Sequence, residues 1–425
     1  MEREQIYWKL FGKKLLSFKR LETGELEGTG LLNPLLEKLR LLRLFTMFYF
    51  QSKIYKNYSN LGRWKGKIVA NTYAPPVGTR PMFRALKGLV KSNLMGYPFP
   101  VAMTFAVTYR CQCNCVHCSA GRHLRKDRAE LTTKEAKKLI DDSQDLGVTI
   151  IAFTGGEPLL RDDIFELISH VDKRKAFPIM FTNGQFLTDE NVEKLVDAGL
   201  YSLFVSIDSP FPEEHDKLRG MPGLYKTAID GLKKIKSKGV FVGLSSYATR
   251  SSTEKGMYRK MHKLAQELGV KNLMLFNCVP TGNLLKDKSE MLTPEQREEI
   301  VQFSAEIFRQ KIIPPLSFSS WIETSVEGYL GGLGCLAANI QYYVSAYGEV
   351  APCDFTPLSF GNIRNYPLKN IWMKIIRHPA FNHRCSFCRM QHSKFRQFYI
   401  DPIPNDAKLP YDINKLPKVD YRKEN

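Results

Sequence analysis

Aspartate is absent from the first 100 residues, which hold six Glu against eighteen Lys and Arg. That quarter of the chain therefore holds twelve of the formal +19 charges of the whole 425 residues. Such an excess favours an anionic neighbour (phospholipid head groups, nucleic acid or an acidic peptide) or a merely solvated basic face. Zinc-finger, RNP and helix-turn-helix patterns are missing, so no nucleic-acid partner is expected. Long apolar runs are missing too, none approaching the roughly 18 residues that a spanning helix needs. The opening MEREQIYWKL is charged and lacks the apolar core and cleavage site of a signal peptide. A cytoplasmic setting with reduced thiols is expected on these grounds. Cysteine is scarce and odd in number, nine in all, which suits metal ligands or reactive groups better than a disulfide framework.

What is present falls into four stretches. Residues 1–100 alternate amphipathic segments with Gly and Pro breaks and read as a basic, mostly helical N-terminal extension. The clearest segment is LLNPLLEKLRLLRLFTMFYF (31–50), apolar round most of a helical circumference with Lys38, Arg40 and Arg43 on the remainder. A helix of this kind packs on a neighbouring domain or lies in a membrane interface, and both readings stand. Across 101–330 short β-branched runs recur: AMTFAVT (102–108), TIIAF (149–153), FPIMF (177–181), YSLFVSI (201–207), VFVGLSS (240–246) and KNLMLF (271–276). Segments of helical period separate them, with Thr132 and Thr188 as N-caps and Gly147, Gly199, Gly239 and Gly269 where helices should stop. Alternation of this kind predicts a parallel sheet, and six units are too few for a closed eight-fold barrel. The expected fold is α/β: a partial (βα)6 TIM-like barrel, with the helical extension before it and a small Cys-rich β-hairpin/helix domain over 331–400. The polar, Pro-rich stretch 401–425 reads as an extended or disordered tail.

Every distinctive polar cluster of the barrel region falls at a strand's carboxyl end, where ligands gather in such sheets. CQCNCVHC (111–118) follows the first strand, TGGEP (154–158) the second, TNG (182–184) the third and SIDSP (206–210) the fourth. The first cluster contains C-x3-C-x2-C, C-x-C-x2-C and C-x2-C; the last alone is a redox pair or half a zinc site. Three thiolates on one loop suit a cubane iron–sulfur cluster, whose fourth iron is left open. A second constellation joins Cys335 and Cys353 across an apparent hairpin turn at Gly348, and Cys385 and Cys388 add C-x2-C. Four thiolates suit zinc as readily as iron–sulfur. Cys278 stands alone and reads as a core thiol.

The C-x3-C-x2-C spacing, with His117 before the last Cys and GGEP downstream, resembles the radical SAM superfamily. That resemblance implies that Cys111, Cys115 and Cys118 hold a [4Fe–4S] cluster whose open iron is chelated by S-adenosylmethionine (SAM). Reductive cleavage of SAM then gives a 5′-deoxyadenosyl radical that takes hydrogen from a substrate. Cys113 becomes the odd thiol of the four. The resemblance further implies SAM contacts: Gly155, Gly156 and Glu157 at the methionyl amino group, Asn183 as a polar contact, Ser206 and Asp208 in the ribose-binding segment, and Arg219 at the carboxylate. Glu157 as a turn-fixing carboxylate and Arg219 as a helix contact are the structural alternatives. YVSAYGEVAPCDFTPLSFGNIRNYPLKNIW resembles the SPASM and twitch extensions of the same family. It implies a second, auxiliary [4Fe–4S] cluster on Cys335, Cys353, Cys385 and Cys388. No Cys follows 388, so a twitch-like domain with one auxiliary cluster is the better fit.

Most relatives of this type act on peptides or proteins, so maturation, crosslinking or oxidation of a peptide or protein side chain is the expected reaction. An external electron donor such as ferredoxin or flavodoxin is implied. Peptide maturases often begin with the β-hairpin of a small winged-helix recognition domain. Residues 1–100 read as helical instead, which keeps open a membrane lipid or isoprenoid substrate and peripheral membrane contact through the basic N-terminal region. A reading of a different class is a non-catalytic iron–sulfur or zinc scaffold.

Overall fold

The computed structural model describes residues 56–58, 61–318, 335–385 and 388–424, and the backbone of three strands before them. Those are β1 (Glu4–Leu10), β2 (Lys13–Arg20) and β3 (Leu26–Gly28), which pair antiparallel in the order β1-β2-β3. Here the structure departs from the helical expectation: residues 4–10, 13–20 and 26–28 form a small sheet. Short runs of Ile, Tyr, Trp, Leu and Phe between charges satisfy period two as well as period 3.6, and cross-strand pairing decides. The basic stretch 31–50 lies outside the described residues.

Two short strands follow, β4 (Gly62–Trp64) and β5 (Lys67–Val69), joined by Lys65 and Gly66 at φ 46° and 80°. Two positive φ values in a two-residue loop match the twist of a tight hairpin. This hairpin packs against the barrel. Its Trp64 meets the rings of Phe177 and Tyr201 edge-on at 4.8 and 6.4 Å, and the Tyr201 hydroxyl donates to Ala74 O at 3.2 Å. Tyr73 follows, 6.3 Å from the Phe181 ring and 6.2 Å from that of Phe204. The segment plugs the barrel's N-terminal end.

The barrel consists of β6 (Ala102–Thr108), β7 (Ile150–Gly155), β8 (Phe177–Thr182), β9 (Ser202–Ser206), β10 (Phe241–Ala248) and β11 (Asn272–Asn277), all parallel and in sequence order. They are the six strands that the apolar runs predict. A three-residue strand, β12 (Leu316–Phe318), extends the sheet beyond β11. At the other edge β13 (Gln341–Val344) pairs parallel with β6 and turns back into β14 (Val350–Ala351). The Cys-rich C-terminal domain thus begins as a continuation of the barrel sheet. Both faces of the sheet are covered, which is why β6 is buried at all seven positions. Met103, Phe105, Val107, Ile151, Phe153 and Val205 face the helices, while Ala102, Ile150, Ala152, Phe177 and Phe204 face the interior.

Thr132 caps its helix through a reciprocal box with Glu135, and Thr188 accepts from Asn191 N, as their positions predict. The C-terminal helix Leu368–Arg377 sends Trp372 Nε1 to Pro98 O at 3.2 Å, and Arg364 clasps Glu135 at 2.6 Å. The tail departs from the disordered expectation. Ile403, Leu409, Ile413 and Tyr421 are buried, β16 (Tyr411–Asp412) pairs with β15 (Leu358–Ser359), and Arg122 Nη2 donates to Pro404, Asn405 and Ala407 O. Apolar residues spread among Pro and charge give no period to read, yet each finds a pocket. Among the described residues no helix is long and apolar enough to cross a membrane.

Candidate active site

The cysteine loop leaves β6 at Thr108 and is gripped by three neighbouring loops. From β7, Gly156 N donates to Thr108 O at 2.7 Å and Glu157 N to Arg110 O at 2.8 Å. A Cβ on Gly155 would stand 2.1 Å from Thr108 O, and one on Gly156 2.2 Å from Arg110 O. The two glycines therefore let the β7 loop lie directly on the root of the cysteine loop. From the helix Pro212–Arg219, Leu218 and Arg219 carbonyls accept Val116 N and Asn114 N at 3.1 and 3.0 Å. From the turn after β11, Asn283 N donates to Cys118 O and Asn283 Nδ2 to Cys115 O, both at 3.0 Å. This last grip went unnoticed in the sequence, where VPTGN after the sixth strand was its only signal.

Glu157 is wholly buried, and its two oxygens serve the protein: Oε1 accepts Leu159 N and the Thr182 hydroxyl, and Oε2 accepts Asn183 N at 2.9 Å. Burial nevertheless raises its pKa to about 7, against the opposing pull of these donors. Its position is that of a brace between the β7 and β8 loops. Asn183, so held, points Nδ2 at Cys111 Sγ, 3.9 Å away. Ser206 shares a hydrogen bond with Ser245 at 3.0 Å across β9 and β10.

Asp208 and Arg219 face each other rather than an open site. Arg219 Nε and Nη2 donate to the two carboxylate oxygens at 2.6 and 3.0 Å, and His117 Nε2 lies 3.3 Å from Oδ2. Burial would raise the Asp208 pKa, but the Arg219 and His117 charges override it and hold the carboxyl well below its usual range. Arg219 Nη1 then reaches Cys115 Sγ at 3.9 Å. The Cys115 thiol is shifted down, first by a hydrogen bond from Cys113 and then by Arg219 and His117. Cys113 is not set apart from the other three: its Sγ lies 3.8 Å from Met221 Sδ, and the neighbouring Cys111 and Cys115 raise its thiol. Cys118 is raised to about 11 by burial. Cys278 is buried after β11, as a core thiol should be.

Below this loop aromatic rings line the barrel interior. Phe181 stacks on Phe204 at 4.9 Å, Tyr247 lies 4.6 Å from the His117 ring, and Phe276 lies 5.9 Å from Tyr247. Tyr73 forms part of the floor. The Cys-rich domain supplies Phe355, 5.6 Å from Phe276, and beside it Asp354, whose charge reaches Tyr73, Tyr247 and Tyr343 on three different segments. Burial raises the Asp354 carboxyl to about 6, and no side chain among the described residues bonds it. Asp354 was not singled out from the sequence, although it directly follows Cys353.

The second cysteine group also assembles. Cys335 N donates to Cys385 O at 2.8 Å, the nearby Cys388 shifts the Cys335 thiol down, and Cys335 in turn raises the buried Cys353 thiol. Among the described residues no three His, Cys, Asp or Glu gather closely enough to bind one metal ion. The donor sets instead suit clusters, in which each thiolate binds a different iron. Three thiols on a loop whose backbone is held from outside, beside an arginine that favours thiolate, fit the first; four converging thiols fit the second.

A relative named AdoMet-dependent heme synthase, from Methanosarcina barkeri, is 33% identical over 290 residues, which are 64% of this chain and 82% of the relative. The chain belongs to the radical SAM superfamily. The family model described as radical SAM superfamily matches residues 105–254, and one described as an iron-sulfur cluster-binding domain, SPASM, matches 335–390. A PqqA peptide cyclase of Granulibacter bethesdensis is 25% identical over 281 residues, 64% of this chain and 74% of the relative. Streptococcus suis SuiB, solved bound to precursor peptide SuiA, superposes with TM-score 0.52 at 16% identity, covering 84% of this radical SAM protein and 85% of SuiB. The family uses a [4Fe–4S] cluster with SAM, and its SPASM domain binds auxiliary iron–sulfur clusters. Its relatives being enzymes, the non-catalytic scaffold is set aside.

Proposed function

We propose that this radical SAM protein oxidises a side chain of a peptide or protein, with Cys111, Cys115 and Cys118 holding the SAM cluster and Cys335, Cys353, Cys385 and Cys388 the auxiliary one. When bound, the first cluster and SAM supply the radical that takes hydrogen from the substrate, and the auxiliary cluster supplies an acceptor for the electron left behind. The observation that carries this reading is the aromatic barrel interior, with Trp64 and Tyr73 packed at its N-terminal end and Phe355 from the Cys-rich domain against Phe276. A barrel packed at its N-terminal end leaves the cysteine-loop end as the side of approach, which suits the tip of a larger molecule, and aromatic walls keep water away from it. Asp354, beside Phe355, accepts a hydrogen bond from an N–H or O–H of that tip and so fixes its angle. The β1–β3 sheet adds support, because an initial hairpin is what peptide maturases present.

The residues around the first cluster divide by task. Asn183 and Ser206 keep polar atoms toward the cofactor, and the Gly155–Gly156 backbone shapes its rim. Glu157, Asp208 and Arg219 act through neighbours: each is saturated by protein partners and holds a loop in place. A ferredoxin or flavodoxin fits as external reductant. The lipid reading rests on residues 31–50, which lie outside the described residues. A second reading, a step of heme synthesis, is favoured by the 33%-identical relative, an AdoMet-dependent heme synthase.

Anaerobically reconstituted protein with SAM and dithionite tests the proposal. It should release 5′-deoxyadenosine, and a peptide substrate should lose hydrogen by mass. No 5′-deoxyadenosine, with both clusters loaded and SAM bound, would refute radical chemistry. Turnover of a carboxylated porphyrin in place of any peptide would install the second reading.

A further inference from the structure

Arg389 follows the last cysteine directly and is 1% exposed. Its Nε donates to Ala380 O at 3.0 Å and its Nη2 to His383 O, while Nη1 is buried and, among the described residues, has no hydrogen-bond partner. Among the described residues no carboxylate pairs with it. A fully buried cation is strongly disfavoured unless a counter-charge faces it. The groups that face it are Cys335 and Cys385, with Tyr421 beside them, and the Phe381 ring lies 5.2 Å away as an apolar wall. Two carbonyls fix the guanidinium, so the free Nη1 has a set direction.

We propose that Arg389 is the built-in counter-ion of the auxiliary cluster and raises its reduction potential. The inference rests on the assignment of Cys335, Cys353, Cys385 and Cys388 to one cluster. A cluster held by four thiolates is anionic, and gaining an electron makes it more so. A fixed positive charge in a buried site stabilises the reduced form more than the oxidised form. Net charge and hydrogen bonding to sulfur are the levers by which a protein sets such a potential. Arg389 supplies both from one side chain, and it makes the cluster a better acceptor of an electron from a substrate radical.

The test uses the full chain with Cys111, Cys115 and Cys118 all replaced by Ala, so that only the auxiliary cluster remains. After anaerobic reconstitution the cluster is titrated with dithionite and followed by electron paramagnetic resonance. R389Q should shift the midpoint to more negative potential with iron per chain unchanged, and R389K should stay near the parent. A purely structural role would lower the unfolding midpoint and leave the potential alone. An unshifted midpoint in iron-replete R389Q overturns the proposal. If R389Q fails to load, R389K decides: loading with a near-parent midpoint upholds the role of charge, and failure to load overturns it. Full iron retention after Cys335→Ala would instead break the ligand assignment, which is a separate failure.

Discussion

Arg219 holds both oxygens of Asp208, Nε to Oδ2 at 2.6 Å and Nη2 to Oδ1 at 3.0 Å, and extends its remaining nitrogen toward Cys115. The pair is buried, so removing either partner strands a charge in the interior. Breaking such a pair costs about 3–5 kcal/mol. Asp208→Asn and Arg219→Met should therefore both lower the denaturant midpoint sharply. Arg219→Met should also cut the iron bound at the first site, because Cys115 loses the charge that favours its thiolate. Unchanged stability in both variants would mean that the pair is solvated after all.

The two glycines of the β7 loop are predicted to be intolerant of even one methyl group. A Cβ at 2.1 or 2.2 Å from a backbone carbonyl leaves no room for a side chain to yield. Overpacking of this kind costs about 1–3 kcal/mol or more, and Gly155 adds a φ of 139° that L-residues rarely adopt. Gly155→Ala and Gly156→Ala should displace the cysteine loop and lose the first cluster, as read by iron content. Gly88→Ala, in a helix with nothing within 4 Å of the added carbon, is the control and should be neutral or stabilising.

Cys113→Ser separates spacing from proximity. Its thiol neighbours both Cys111 and Cys115, so its place alone does not exclude it as a ligand. The spacing assigns the other three. Cys113→Ser should keep the absorbance of the first cluster, whereas Ser at 111, 115 or 118 should abolish it. Loss of the cluster in Cys113→Ser alone would reverse the ligand assignment.

Acid should weaken the fold through His123. Burial lowers its pKa to about 4 from 6.5, so the unfolded chain binds the extra proton between those values. Its stabilising contribution is complete above pH 6.5 and is lost as pH falls toward 4. The size is on the order of 3 kcal/mol. Glu157, raised to about 7, opposes it with the reverse sign, losing stability as pH rises from 4.5 through 7. His123→Phe isolates the histidine: it should keep the ring contact with Tyr109 and flatten the acid limb of a stability-versus-pH curve.

The barrel strands were legible because β-branched runs closed by Thr caps and Gly stops leave one period to choose. The cysteine sets were legible because spacing within a loop survives folding. What stayed hidden depends on contacts distant in sequence. Glu157 and Arg219 fit a cofactor contact equally well until Asn183 N and Asp208 were seen opposite them. Ile403, Leu409 and Tyr421 show no period, so their burial was invisible. Trp64 and Tyr73 lie ahead of the first barrel strand, and nothing local places them under Phe177 and Phe181.

That plug yields the last prediction. Trp64 meets Phe177 at 4.8 Å and covers the N-terminal end of the barrel, while Tyr73 packs further in, 6.3 Å from the Phe181 ring. Trp64→Ala removes this cover far from both cysteine groups, and because Trp64 is only half-buried its cost to stability stays below the roughly 3–5 kcal/mol of a buried Trp. Its effect should then fall on coupling rather than on radical generation. Iron content and SAM cleavage should stay near wild type, while a loosely held substrate lets the radical take hydrogen from a protein C–H or from the reductant instead, so that 5′-deoxyadenosine forms without matching product. Tyr73→Phe keeps the ring and loses only the hydroxyl, so it should couple normally unless the substrate bonds that oxygen. The ratio of 5′-deoxyadenosine to product, measured in both variants, reads the plug directly. An unchanged ratio in Trp64→Ala would show that the barrel holds the substrate without this cover.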